Sequence, residues 1–379
     1  MPHPEELKQW AADLSKNLPK MSKSQAFVLS LYSFATTVLG YCGLESVSEF
    51  LGEVYQSESQ NFRQRLREWY CPKEIKAGEK RQDLSVASHF ADLLAWVLSA
   101  WHGEKQIAVV LDATTLGERF VVLAVSVVYR GCAIPLAWAI LHPHQKEAWQ
   151  GHWLRLLASL KGVIPPDWTV LVLTDRGLYA KWLFEGIRAC GWHPFMRINA
   201  IGFYKRPRAK DWQKLNTLLR PAMGLWIQKV VCFKTPESQI TCTLLAQWEA
   251  NYSEGCLILT DLAPDELGFY WYDLRQWAEQ GFKDFKYGGW RWEQTRMTDP
   301  QRAERLWFVL AVATLRVCLY GTNSAEDYSA SGFRQWFKPK NSKLSVFRKG
   351  RIRFLAAIVR GVSLEHGYFI PHDWHKVPL

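Results

Sequence analysis

QIAVVLDATTLGERFVVLAVSVVYRGCAIPLAWAIL, residues 106–141, decides the fold. It contains three apolar runs, at 106–116, 119–130 and 132–141, joined by short connections, so they are expected to lie as neighbouring antiparallel strands. The part at 121–141 could pass for a membrane span. However, Arg130-Gly131 sits at its midpoint and Val dominates its first half, which makes it a β-hairpin with charge at the turn. Downstream, the pattern predicts a helix at 147–161, a strand at 167–175, a helix at 179–190 and a strand at 193–199. Strand, strand, strand, helix, strand, helix, strand describes an α/β chain with a mixed sheet flanked by helices.

Reading outward, residues 1–100 alternate apolar helical runs such as AFVLSLYSFATTVL (26–39) with basic segments such as NFRQRLREWY (61–70), which predicts an all-helical N-terminal domain. Arg63 and Arg67 lie four apart and share a helix face, suited either to phosphates or to plain solvation. The first part of the core is expected at 101–199. A β-rich insertion subdomain follows at 200–261, built on FYKRPRAK (203–210), LWIQKVVCFK (225–234), QITCTLLAQW (239–248) and CLILTDL (256–262). The second part of the core spans 262–325. It ends in a helix at 300–321 whose apolar run, 306–315, is too short to span a bilayer and reads as buried. A basic tail, 326–379, carries KPKNSK (338–343) and FRKGRIRF (347–354).

The net charge of +11 suits a polyanionic partner. The 20 tryptophans are either core or stacking surfaces. The start, MPHPEELKQW, has no apolar segment behind basic residues, so an intracellular protein without a membrane anchor is expected. Eight cysteines show no CxxC spacing, and His142, His144 and His152 lack a cysteine or acid pair to complete a metal set.

Chemistry is expected from three acids. Asp112 ends the run IAVVLD and Asp175 ends LVLTD, and a charge directly after a buried strand sits at the sheet's carboxyl edge, where open α/β sheets place their sites. Adjacent acids repel unless a cation or proton lies between them. The third acid comes from YWYDLRQWAEQGFKDFKYGGWRWE (270–293). If 270–286 is one helix at about 100° per residue, Tyr272, Arg275, Glu279 and Lys286 form one stripe beside the apolar arc of Trp271, Leu274, Ala278, Phe282 and Phe285. Three hard oxygen ligands suit Mg²⁺ or Mn²⁺, and two such ions activate an attacking oxygen and stabilise a leaving one. Asp261, which ends LILTD, and Glu118 are rival acids, and a strand-end aspartate is often a turn cap.

These residues resemble a known family. Tyr272, Arg275, Glu279 and Lys286 match YxxRxxxExxxxxxK, the signature around the catalytic glutamate of bacterial insertion-sequence DDE transposases of the insertion-sequence-four type. The resemblance covers about 106–320. It implies a ribonuclease-H-like core with Asp112 and Asp175 on its first and fourth strands. The 104 residues from Asp175 to Glu279 leave room for the β-rich insertion of this branch. In some relatives a tryptophan that stacks on a flipped base directly precedes the last strand of the insertion; Cys256 holds that place here, and Trp248 is the nearest tryptophan before it in sequence.

The resemblance implies a cut-and-paste transposase that binds the inverted terminal repeats of its element as a homodimer, acting on double-stranded DNA in the bacterial cytoplasm, associated with the nucleoid. Asp112, Asp175 and Glu279 would hold two Mg²⁺ or Mn²⁺ ions. Arg275, Lys286 and Tyr272 would contact the cleaved end, and the basic run Lys205, Arg206 and Arg208 would face DNA. Two alternatives stand beside it: a DNA-binding descendant that no longer transposes, and a carbohydrate hydrolase with paired carboxylates. The basic charge and the Arg-Glu-Lys stripe oppose the second.

Overall fold

The computed structural model describes residues 5–76, 82–143, 149–221, 224–248, 253–322 and 344–370. Its helices are α1 (Glu5–Asn17), α2 (Lys23–Leu39), α3 (Leu44–Tyr55), α4 (Ser59–Tyr70), α5 (Phe90–Ser99), α6 (Gln150–Leu160), α7 (Lys181–Arg188), α8 (Gln276–Phe285), α9 (Pro300–Thr322) and α10 (Val346–Arg360). Its strands are β1 (Gln106–Leu116), β2 (Phe120–Tyr129), β3 (Cys132–Leu141), β4 (Thr169–Thr174), β5 (His193–Ile198), β6 (Phe203–Lys205), β7 (Gln213–Lys214), β8 (Trp226–Cys232), β9 (Ile240–Gln247) and β10 (Cys256–Thr260).

The strands form a mixed sheet in the order β3-β2-β1-β4-β5-β10-β9-β8-β6-β7. The decisive stretch folds as expected. β2 and β3 pair antiparallel, and Arg130 and Gly131 both take positive φ, 42° and 79°, the backbone a tight two-residue hairpin requires. The register slips at Val125/Ser126, where Pro135 lies opposite Ser126 and offers the ladder no N–H. β1, β4 and β5 run parallel, and β10 turns antiparallel against β5. The β-rich segment expected as an inserted subdomain therefore continues the core sheet directly, through β10, β9, β8 and β6.

The chain forms two compact units that divide β1 at Asp112/Ala113: one from Met1–Glu104, Ala113–Glu147 and Trp277–Pro371, the other from Lys105–Asp112 and Ala148–Gln276. The N-terminal helices belong to the first unit. They pack on α9, which α2, α4, α10 and β3 enclose. Two α9 arginines explain why these helices stay there. Arg316 is fully buried and ion-paired with Asp13 of α1, while its guanidinium reaches the Tyr320 hydroxyl at 2.6 Å. Arg305 donates to the Tyr70 carbonyl, and the Trp69 indole donates to the Arg305 carbonyl at 2.8 Å. The apolar run judged too short to span belongs to a 23-residue helix long and apolar enough to cross a bilayer, but its apolar window lies wholly inside the protein.

Part of the basic tail is also structural. α10 crosses α9 so closely that a Cβ on Gly350 would overlap the Val317 carbonyl oxygen, and one on Gly321 would overlap the Val346 carbonyl oxygen. KPKNSK (338–343) lies outside the described residues. The tryptophans are largely core: Trp10, Trp138, Trp153, Trp290, Trp292 and Trp307 are fully buried. The described cysteines are free thiols.

Candidate active site

The second unit holds two of the three expected acids. Leu111 of β1 is in register with Thr174 of β4, the last pair of the two parallel strands. Asp175 therefore directly follows β4, while Asp112, expected to end its strand, lies inside β1, which runs on to Leu116. Asp175 caps its own turn, its Oδ1 accepting the Leu178 N–H at 3.0 Å.

The signature residues of this unit are anchored to the same two strands. Arg275 Nη1 donates to Asp112 Oδ2 at 3.3 Å, with side chains only 18% and 14% exposed. The Tyr272 hydroxyl donates to the Thr174 carbonyl at 3.2 Å, one residue before Asp175. Burial pushes the Tyr272 phenol well above its ordinary pKa, with the Arg275 charge opposing, so it stays protonated and acts as a donor.

The segment expected as one helix from 270 is in fact a 3-10 turn, Phe269–Arg275, that passes into α8 at Gln276. Residues three apart eclipse in a 3-10 turn, so Tyr272 and Arg275 still share a face.

The first unit holds Glu279, exposed in the first turn of α8, and Lys286, just past its end. The Lys286 ammonium donates to Thr114 Oγ1 and to the Thr115 carbonyl, both at 2.9 Å, which ties the end of α8 to the last residues of β1. Burial lowers its pKa, with Glu293 opposing. Arg119, in the turn after β1, donates to the carbonyls of Glu293, Thr295 and Met297 and so holds the segment that follows the signature. This role was hidden because all its acceptors are main-chain atoms of a distant loop.

The rival Asp261 is removed by strand direction. β10 runs against β5, so Asp261 emerges at the amino edge of β4 and β5, opposite Asp175, where it binds Arg188 at 3.2 Å and His193 at 3.1 Å. Glu118 sits in the turn between β1 and β2. Lys205 lies on β6 with its ammonium 4.9 Å from the centroid of the Trp212 ring, while Arg206 and Arg208 are exposed in the turn after it. His152 bonds Arg155 at 3.0 Å and His142 is exposed; His144 lies outside the described residues.

Among the described residues no group of three or more His, Cys, Asp or Glu side chains is gathered closely enough to hold a metal. The carboxylates of Asp112 and Asp175, carried by neighbouring strands, are nevertheless the donor type a hard divalent cation takes, and Arg275 pairs with the first of them.

No curated protein matches the sequence. Among solved structures, a piggyBac transposase in a cryo-EM synaptic complex with hairpin DNA is similar at 11% identity over 94% of this chain and 78% of that chain, with a TM-score of 0.42. The family model "Transposase DDE domain" matches residues 117–316, more than half of the chain. That span contains Asp175, Tyr272, Arg275, Glu279 and Lys286 and begins five residues after Asp112. The chain belongs to the DDE transposase family and is a transposase, an enzyme of DNA transposition.

Proposed function

We propose that this transposase works by cut and paste on the inverted terminal repeats of an insertion sequence of the insertion-sequence-four type, as a homodimer, from a ribonuclease-H-like core. One observation carries this reading: Asp112 and Asp175 each lie one residue past the last in-register pair of two adjacent parallel strands, and the signature residues Arg275 and Tyr272 are bonded to Asp112 and to the Thr174 carbonyl. The strand order β3-β2-β1-β4-β5, with β1, β4 and β5 parallel, supports the core.

Asp112, Asp175 and Glu279 are the acids assigned to two Mg²⁺ or Mn²⁺ ions, which when bound supply Lewis-acid activation of the attacking oxygen and stabilise the leaving one. Arg275 releases Asp112 to that role and turns to a DNA phosphate. Tyr272 keeps its proton and orients the Thr174–Asp175 corner. Lys286 holds the end of β1 and offers its remaining donor capacity to the phosphate beside the cut. Water opens one strand to give a 3′ hydroxyl, which attacks the opposite strand; the hairpin so formed is reopened before insertion.

Matching inverted repeats flanking the coding region supply the substrate. A duplex ending in that repeat should be nicked and then converted to a hairpin only when Mg²⁺ or Mn²⁺ is present. Double-strand cleavage with no hairpin species would refute the hairpin route, and cleavage unaffected by chelator would refute the acid assignment.

A further inference from the structure

A second charged cluster lies at the carboxyl edge of the second unit, beside Asp175. Arg176 follows that acid directly, and Arg197 lies in β5 one residue beyond Met196, the partner of Thr174. Both guanidiniums converge on one carboxylate: Arg176 Nη1 lies 3.0 Å from Glu254 Oε2, and Arg197 Nη2 lies 2.6 Å from Glu254 Oε1. The three side chains differ in freedom. Arg197 is only 24% exposed and is held beside Cys256 and Tyr272, whereas Glu254 is 53% exposed, two residues ahead of β10. A half-buried guanidinium needs an anionic partner, and the two arginines present a fork that fits a phosphate as well as a carboxylate.

We propose that Arg176 and Arg197 form a binding site for a backbone phosphate of nucleic acid beside Asp175, and that Glu254 fills this site as an internal stand-in until a DNA phosphate displaces it. The proposal rests on the reading of function above and adds to it a phosphate site with a built-in competitor. With Glu254 in place the fork carries one net positive charge; once the carboxylate swings out, it offers two to the incoming strand. Exchange of carboxylate for phosphate keeps the arginines paired throughout, so docking of DNA leaves no buried charge alone.

Phosphate recognition does not depend on sequence, so the test uses linear duplex DNA of arbitrary sequence, full-length protein and chelator, with affinity measured across a range of salt. Glu254→Gln should bind about two- to fivefold tighter than wild type, the scale of one exposed ion pair, and its salt slope should steepen by about one. Arg176→Gln/Arg197→Gln should bind more weakly with a shallower slope, and adding Glu254→Gln to that pair should change nothing. Glu237→Gln, which removes an exposed carboxylate elsewhere in the same unit, controls for net charge. Glu254→Gln binding no tighter than Glu237→Gln, or gaining equally without the arginines, overturns the proposal. Glu254→Asp, which keeps the charge but shortens the reach, should fall between wild type and Glu254→Gln, and provides a second reading should the glutamine variant fold poorly. If wild type cleaves element ends while Glu254→Gln binds unchanged, only this proposal fails. If wild type binds no duplex DNA at all, the functional reading fails with it.

Discussion

Asp284 offers a prediction whose sign follows from burial. It sits on α8, five residues after Glu279, and is only 1% exposed. Gln280 donates to its Oδ1 at 2.9 Å, while Oδ2 has no hydrogen-bond partner among the described residues. Burial raises its pKa to about 6, against the opposing pull of Gln280, Arg348 and Arg351. Below about pH 4 the group is protonated whether the chain is folded or not, and no penalty exists. Between about 4 and 6 the unfolded chain releases the proton while the folded chain keeps it, so stability falls as pH rises, and above 6 the full penalty is present. A shift of about two units corresponds to about 3 kcal/mol. Asp284→Asn removes the charge but turns an amide N–H₂ toward the same arginines, so about 1–2 kcal/mol of stabilisation should remain at pH 8. Urea unfolding of both proteins across pH 4–8 measures this. The asparagine variant should be about 1–2 kcal/mol less stable than wild type at pH 4 and about 1–2 kcal/mol more stable above pH 6, where the difference levels off, and the parallel burial of Glu304, also raised to about 6, cancels in the comparison. An asparagine variant less stable than wild type at pH 8 would refute the reasoning, because it would mean Asp284 is ionised and well paired with Arg351.

Three further outcomes follow from the geometry. Asp261→Asn should leave strand cleavage intact while lowering stability by about 1 kcal/mol through its contacts with Arg188 and His193; loss of cleavage with normal stability would restore it as a candidate acid. Gly350→Ala should cost about 3 kcal/mol in denaturant unfolding, since its methyl meets the Val317 backbone, which cannot rotate away; an unchanged midpoint would show that α9 and α10 part easily. Replacing Lys205, Arg206 and Arg208 together by alanine should flatten the salt slope of end binding by about 2–3, and an unchanged slope would make this turn a solvated one.

What could be read from residue order depended on range. The hairpin at 120–141 was legible because its apolar runs and its Arg-Gly turn are local signals. Asp175 was legible as a charge directly after a buried strand, whereas Asp112 lies inside β1, whose last residues, 113–116, are more polar and mixed than the apolar run before it. Asp261 follows the same local pattern and stood as a rival, because the direction of β10 is set by its pairing with β5, which no local pattern records. The 3-10 start before α8 escaped notice since Tyr272 and Arg275 share a face at either winding. The N-terminal helices looked independent because the buried partners that bind them, Arg305 and Arg316, lie more than 200 residues away. The Arg176–Glu254–Arg197 cluster was invisible because its members come from separate strands and loops 57 and 78 residues apart.

The central claim is that Glu279 completes the acid set begun by Asp112 and Asp175. Glu279→Gln preserves shape and removes one charge, on an exposed position of α8 where folding should not suffer. With a duplex carrying the element's end and Mg²⁺, this variant should bind as wild type does and yield neither nick nor hairpin. Cutting at the wild-type rate would contradict the account and leave Glu118 as the acid to examine next.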